Sequence, residues 1–197
     1  MIVYDFEQRT PDWFNIRKAK VTASHATAIG NCGKGLDTYI LELMAEYYSS
    51  GEKDKFSNKH TDRGCELEDQ ASDIYELMTG QKLDKVGFIE YNEFVGGSPD
   101  RLVGDDGGVE IKCIDDVGYF KLLLNGEKEI SSDYLWQIQM YLLITGRKWW
   151  DFLAYNPNYK KSMFIHRITP DKEKQDRLLE GFKIAEEKIK NIINQLN

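Results

Sequence analysis

Two acids and a lysine carry the first chemical signal in the chain. They are Asp100 in Ser98-Pro99-Asp100, and Glu110 with Lys112 in Glu110-Ile111-Lys112. Residues two apart in a strand share a face, so Glu110 and Lys112 point one way. Val109, Ile111 and Cys113 then point the other way, into apolar packing. Asp105-Asp106-Gly107-Gly108 is a turn signal between two strand-like runs, which predicts a β-hairpin over 100–114. With the turn centred near Asp106, Asp100 falls almost opposite Lys112 and the three side chains meet on one face. Neighbouring carboxylates repel and are costly to desolvate. A divalent cation removes that cost, and Mg²⁺ commonly takes one or two carboxylates plus a substrate phosphate. Such an ion acidifies a bound water and neutralises charge on a phosphodiester. Lys112 would orient that water, and the Ile111 carbonyl is a further candidate ligand. The same residues also describe a surface hairpin with a Glu–Lys pair.

Two helices could complete the site. Glu68 lies three before Ala71 and seven before Tyr75, at the margin of an apolar face, so it can look toward the strands. The alternative is a first-turn acid favoured by the helix dipole. Glu66 falls further round and faces water. Gln137 and Tyr141 are spaced to share a helix face, and Gln139 sits beside them among Leu135, Ile138, Leu142 and Leu143. Such amides need a partner, either a phosphate, base or metal-bound water, or simply the backbone.

The rest of the chain must position these groups. Its 197 residues suit one domain over 1–197, and only four prolines interrupt them. Helices are predicted from Pro11, after Val21-Thr22-Ala23-Ser24 (with Thr22 or Ser24 as cap), over 36–49 ending at Gly51, and over 61–79 ending at Gly80. Extended runs follow at 82–91 and 93–114, then helices over 116–125 and from Ser131-Ser132 to Gly146. Strands at 148–155 and 162–168 precede a last helix from Thr169-Pro170-Asp171. Its seam, Leu178, Phe182, Ala185, Ile189, Ile192 and Leu196, fits lengthwise packing on its own domain. The order gives an α/β (α+β) fold, a central mixed sheet flanked by helices.

Composition sets outer limits. No apolar run is long enough to span a bilayer, and Met1–Glu7 has no signal-peptide pattern. Cys32, Cys65 and Cys113 form no CxxC pair, which argues against a zinc or iron–sulfur site and for reduced cytosolic thiols. The net charge of −7 does not forbid DNA, because net charge describes the summed field. Residues 145–169 hold Arg147, Lys148, Lys160, Lys161 and Arg167 against Asp151 alone, a candidate basic track or an ordinary solvated strand pair.

Taken in order, these elements resemble the PD-(D/E)xK nuclease superfamily, and within it the phage lambda exonuclease type, also called the YqaJ-like viral recombinases. The resemblance rests on Trp13 with Arg17, Val21-Thr22-Ala23-Ser24, Gly64 with Glu68, Ser98-Pro99-Asp100, Glu110-Ile111-Lys112-Cys113 and Gln137-Ile138-Gln139. It implies a restriction-endonuclease-like core in which Asp100, Glu110, the Ile111 carbonyl and Glu68 hold Mg²⁺, with Mn²⁺ as a substitute. Lys112 then positions the attacking water, and Gln139 belongs to the catalytic set. Arg17, Ser24, Ser98 and Gln139 resemble a pocket for the 5′-phosphate of a DNA end, a role that suits a guanidinium and hydroxyls. Gln137 and Tyr141 are further substrate-facing candidates. The family implies 5′→3′ degradation of one strand of linear duplex DNA in phage-type recombination, a homotrimeric ring, a single-strand annealing partner and a cytoplasmic location. The alternatives are an endonuclease or nickase on the same fold, and a non-catalytic DNA-end-binding protein.

Overall fold

The computed structural model describes residues 1–49 and 59–196, without the side chains of 59–65. The chain opens with β1 (Ile2–Tyr4), α1 (Pro11–Ile16), β2 (Val21–Thr22), a short 3₁₀ turn, α2 (Ala26–Asn31), α3 (Lys34–Tyr48) and α4 (Lys59–Thr79). Then come β3 (Leu83–Asp84), β4 (Phe88–Asn92), β5 (Val95–Gly97), β6 (Arg101–Val103) and β7 (Gly107–Cys113). The chain closes with α5 (Asp116–Asn125), α6 (Ser132–Thr145), β8 (Trp149–Tyr155), β9 (Met163–Ile168) and α7 (Lys172–Leu196).

Local chemistry sets several boundaries. Thr10 caps α1 by accepting from the Trp13 amide, and Pro11 fills its first turn. Ser131 caps α6, and Gly146 ends it at φ 67°, a conformation that glycine adopts without Cβ strain. α4 starts at Lys59, so Glu68 lies mid-helix and is not the first-turn acid of the alternative above. Gly51 and the side chains of Gly64 and Cys65 lie outside the described residues.

The predicted single sheet is divided in two, with orders β1-β4-β5-β2 and β3-β6-β7-β8-β9. Each is mixed: β2 runs parallel to β5, and β7 parallel to β8. The helices α5 and α6 supply the crossover that a parallel β7–β8 pair requires. β7 and β8 alternate between two cores. On one face Ala71 and Tyr75 of α4 pack with Val109, Ile111 and Leu153. On the other, Trp150 and Phe152 join a core that includes α6 and the α7 seam residues Leu178, Phe182, Ala185 and Ile189. Leu196, at the end of that seam, is exposed, as are Tyr47 on α3 and Met78 on α4.

Two local readings change. Gly107 and Gly108 are strand residues, and the hairpin turn is Gly104–Asp106. They pair with Trp149 and Trp150 of β8, and a Cβ at either position would come within 2.1 and 2.5 Å of the indole rings. These glycines therefore make room for tryptophans. The predicted basic track is largely committed to the fold. Arg147 donates to the carbonyls of Val103, Gly104 and Gly107, Lys148 pairs with Asp106, and Arg167 pairs with Asp151 while lying over the Trp149 ring. Lys160 and Lys161 are exposed between β8 and β9.

Candidate active site

The β6–β7 register places Arg101 opposite Val109 and Val103 opposite Gly107. Asp100, just before β6, therefore lies beside Glu110 and Ile111 and not opposite Lys112, because the turn is one residue earlier than expected. Its carboxylate accepts the Ile111 amide at 2.7 Å, which fixes it against β7. This bond involves the Ile111 N–H and leaves its carbonyl a separate matter. Glu110 is 1% exposed, and its Oε1 accepts from Lys112 Nζ at 2.6 Å. Lys112 also lies 5.0 Å from the centroid of the Tyr134 ring, a neighbour that the sequence had not singled out.

The electrostatics of this cluster are those of crowded acids. Burial, then Asp100, pushes Glu110 up to about 8, against the pull of Lys112. Burial also raises Asp100, with Lys112 and the Ile111 amide opposing it. Glu68 on α4 is raised by burial and by Asp100, which places it in the same field. Burial would lower Lys112, but Glu110 and Asp100 more than offset it, so it stays a firmly protonated ammonium. Cys113, whose thiol burial and the same acids push up to about 11, borders the cluster.

Glu110 Oε2 is buried with no hydrogen-bond partner. A buried oxygen in that condition is costly, and a cation would satisfy it. Among the described residues no group of three or more His, Cys, Asp or Glu side chains is arranged to hold a metal ion. Yet the donor set fits a hard divalent ion: Glu110 with a spare oxygen, Asp100 beside it, and Glu68 in the same field.

A second cluster surrounds Arg17. Its guanidinium stacks on Trp13, with 4.2 Å from Cζ to the ring centroid, and donates to Ser98 Oγ at 3.3 Å and Thr22 Oγ1 at 3.4 Å. Trp13 Nε1 donates to the same Ser98 hydroxyl at 2.7 Å. Thr22 also contacts Ser24 Oγ and Tyr39 OH, and Tyr39 stacks on His25. Burial lowers the Arg17 pKa, against the opposing pull of Tyr141, Tyr39 and Glu46. A cation held by stacking and long hydroxyl contacts is suited to an incoming anion. A cavity of about 220 Å³ opens beside it, lined in part by Trp13, Arg17, Thr22, His25 and Tyr39. Tyr39 belongs to α3 and is buried. Its hydroxyl accepts the Thr22 amide at 3.1 Å, which ties α3 to this cluster.

Tyr141 links the two clusters. Its hydroxyl donates to the Ser98 carbonyl at 2.9 Å and receives Gln137 Nε2 at 3.2 Å. Burial, Glu110 and Asp100 raise it, while Arg17 lowers it. Gln139 faces elsewhere. It is 3% exposed, donates to the Thr169 carbonyl at 2.8 Å and accepts the Asp171 amide at 2.8 Å. Both ends of its amide are thus tied to the start of α7, the backbone-satisfied alternative that the sequence left open.

A model of the YqaJ-like viral recombinase domain matches residues 12–148. No curated protein sequence matches the chain. Among solved structures, LHK-Exo in complex with dAMP is similar at 29% identity and a TM-score of 0.83, covering 95% of this chain and 96% of that one. The alkaline exonuclease LHK-Exo from Laribacter hongkongensis is similar at 29% identity and a TM-score of 0.80, over 95% and 98% of the two chains. A phage-related exonuclease from Haemophilus somnus 129PT, 21% identical with a TM-score of 0.66 over 93% and 99%, shares the fold.

Proposed function

The chain belongs to the YqaJ-like viral recombinase domain family and is a phage-type DNA nuclease, and we propose that it degrades one strand of linear duplex DNA 5′→3′ with Mg²⁺ held by Asp100 and Glu110. The observation that carries this reading is the pairing of two sites along one short segment. Ser98 belongs to the Arg17 cluster and Asp100, two residues later, to the acid cluster. An end phosphate held by Arg17 and Ser98 therefore brings the adjoining phosphodiesters toward the acids.

Each residue then has a task. Arg17, fixed by Trp13, presents a planar fork to the terminal 5′-phosphate, with the Ser98, Thr22 and Ser24 hydroxyls around it. Asp100 and Glu110 are the metal-holding carboxylates, with Glu68 and the Ile111 carbonyl as auxiliaries. When bound, the ion acidifies a water and offsets charge on the phosphodiester. Lys112, held on Glu110, donates hydrogen bonds that orient the attacking water. Tyr141 and Gln137 fix the backbone of Ser98, so they position the two clusters relative to each other. Mn²⁺ is the expected substitute. A homotrimer, a single-strand annealing partner and a cytoplasmic setting belong to the same proposal. No described helix is long and apolar enough to cross a membrane.

The test compares linear 5′-phosphorylated duplex with a covalently closed circle in Mg²⁺. The linear DNA is lost, the circle survives, and EDTA protects both. Arg17→Ala slows cutting at 5′-phosphate ends more than at 5′-hydroxyl ends. Degradation of the circle contradicts the exonuclease reading, and equal losses at both end types remove the pocket.

A further inference from the structure

A second arginine stands at the acid cluster. Arg9 lines a cavity of about 250 Å³ together with Glu68, Asp100 and Arg101. Its backbone is left-handed, with φ 67°, a conformation that residues with a Cβ adopt at a cost. Both neighbours are anchored. Gln8 Nε2 donates to the carbonyls of Val86 at 2.9 Å and Pro99 at 3.1 Å, the latter adjoining Asp100. Thr10 Oγ1 donates to the Glu7 carbonyl at 2.7 Å and caps α1. β1 fixes the segment further back by pairing with β4. Strain of this kind persists where the surroundings over-determine it, and it clusters at functional sites.

We propose that Arg9 is a ligand for the phosphodiester under attack, holding it against Asp100 and Glu68 in this cavity. The inference rests on the nuclease reading above, and it adds a contact separate from the Arg17 end-phosphate pocket. The electrostatics agree, since the charge of Arg9 lowers the Glu68 and Asp100 carboxyls against their burial. A guanidinium in that place faces acids before the substrate arrives. Once a cation neutralises those acids, it faces the non-bridging oxygens of the bound phosphodiester. The cavity has room for that group with several waters, each about 30 Å³ in the liquid.

Arg9→Gly suits the test because glycine takes positive φ without strain, so its melting temperature should equal or exceed that of the unmodified chain. Cutting of linear 5′-phosphorylated duplex should fall about 100-fold, chiefly in kcat. Unchanged cutting would overturn the proposal. The second arm measures binding with Ca²⁺ in place of Mg²⁺, to duplexes carrying a phosphate or a neutral methylphosphonate at the first internucleotide linkage. The methylphosphonate penalty should be about tenfold smaller for Arg9→Gly than for the unmodified chain. Equal penalties would show that Arg9 does not touch that phosphate. Binding needs no cleavage, so a chain that binds without cutting would overturn the functional reading while this arm still decides Arg9.

Discussion

Glu110 and Asp151 are buried acids on neighbouring parallel strands, 1% and 2% exposed, and each is joined to a cation. Their environments differ in completeness. Both oxygens of Asp151 are satisfied: Arg167 donates at 2.8 and 2.9 Å, and Tyr75 OH donates at 2.7 Å. Glu110 accepts Lys112 on one oxygen, and the other has no partner. Asp151 is a finished part of the fold on the α4 face of the sheet. Glu110 is an unfinished one on the opposite face. Burial and a charge partner do not by themselves mark a functional acid. Under the proposed function it is the unpartnered Glu110 Oε2, beside Asp100 and Glu68, that singles this acid out to hold a cation.

The comparison can be broken first at its cations. Lys112→Ala should reduce cleavage about 1,000-fold, roughly 4 kcal/mol of barrier, with DNA binding nearly intact. Cleavage at the original rate would remove Lys112 from the chemistry. Next come the acids themselves. Asp151→Asn disturbs a completed network and should lower stability by about 2 kcal/mol in denaturant melts. Glu110→Gln should leave the metal-free protein as stable or more so while abolishing cutting, because it replaces a buried carboxyl whose second oxygen has no partner. If the two variants lost equal stability, the two acids would be alike.

The smallest effect is in pH. Glu110 keeps its proton up to about pH 8 when folded, against a value of 4.5 when unfolded. Its contribution is therefore fully present below about 4.5 and is lost as pH rises through 8. Metal-free melting temperatures should fall across that window, and the stabilisation gained from added Mg²⁺ or Mn²⁺ should grow. A Glu110→Gln chain should show a flatter profile. An identical slope in both would assign the effect to other groups.

Much of this was legible in residue order. Alternation along Val109–Cys113 gave the correct faces of β7, and the α7 seam followed from its spacing. The register was misread because Gly107-Gly108 looks like a turn, whereas those glycines clear space for Trp149 and Trp150, forty-two residues away. Gln139 resembled a polar site residue because only the tertiary fold brings Thr169 and Asp171 to its amide. The place of residues 1–9 depends on pairing with β4 and on Gln8 reaching Val86 and Pro99. What the sequence missed was set by contacts between distant segments.

The most direct measurement follows a linear duplex labelled at its 5′ ends in one sample and at its 3′ ends in another, with Mg²⁺ present. The account predicts that 5′ label leaves at once as mononucleotide, while 3′-labelled strands shorten progressively. Immediate release of the 3′ label with slow shortening of 5′-labelled strands would contradict entry at the 5′-phosphorylated end.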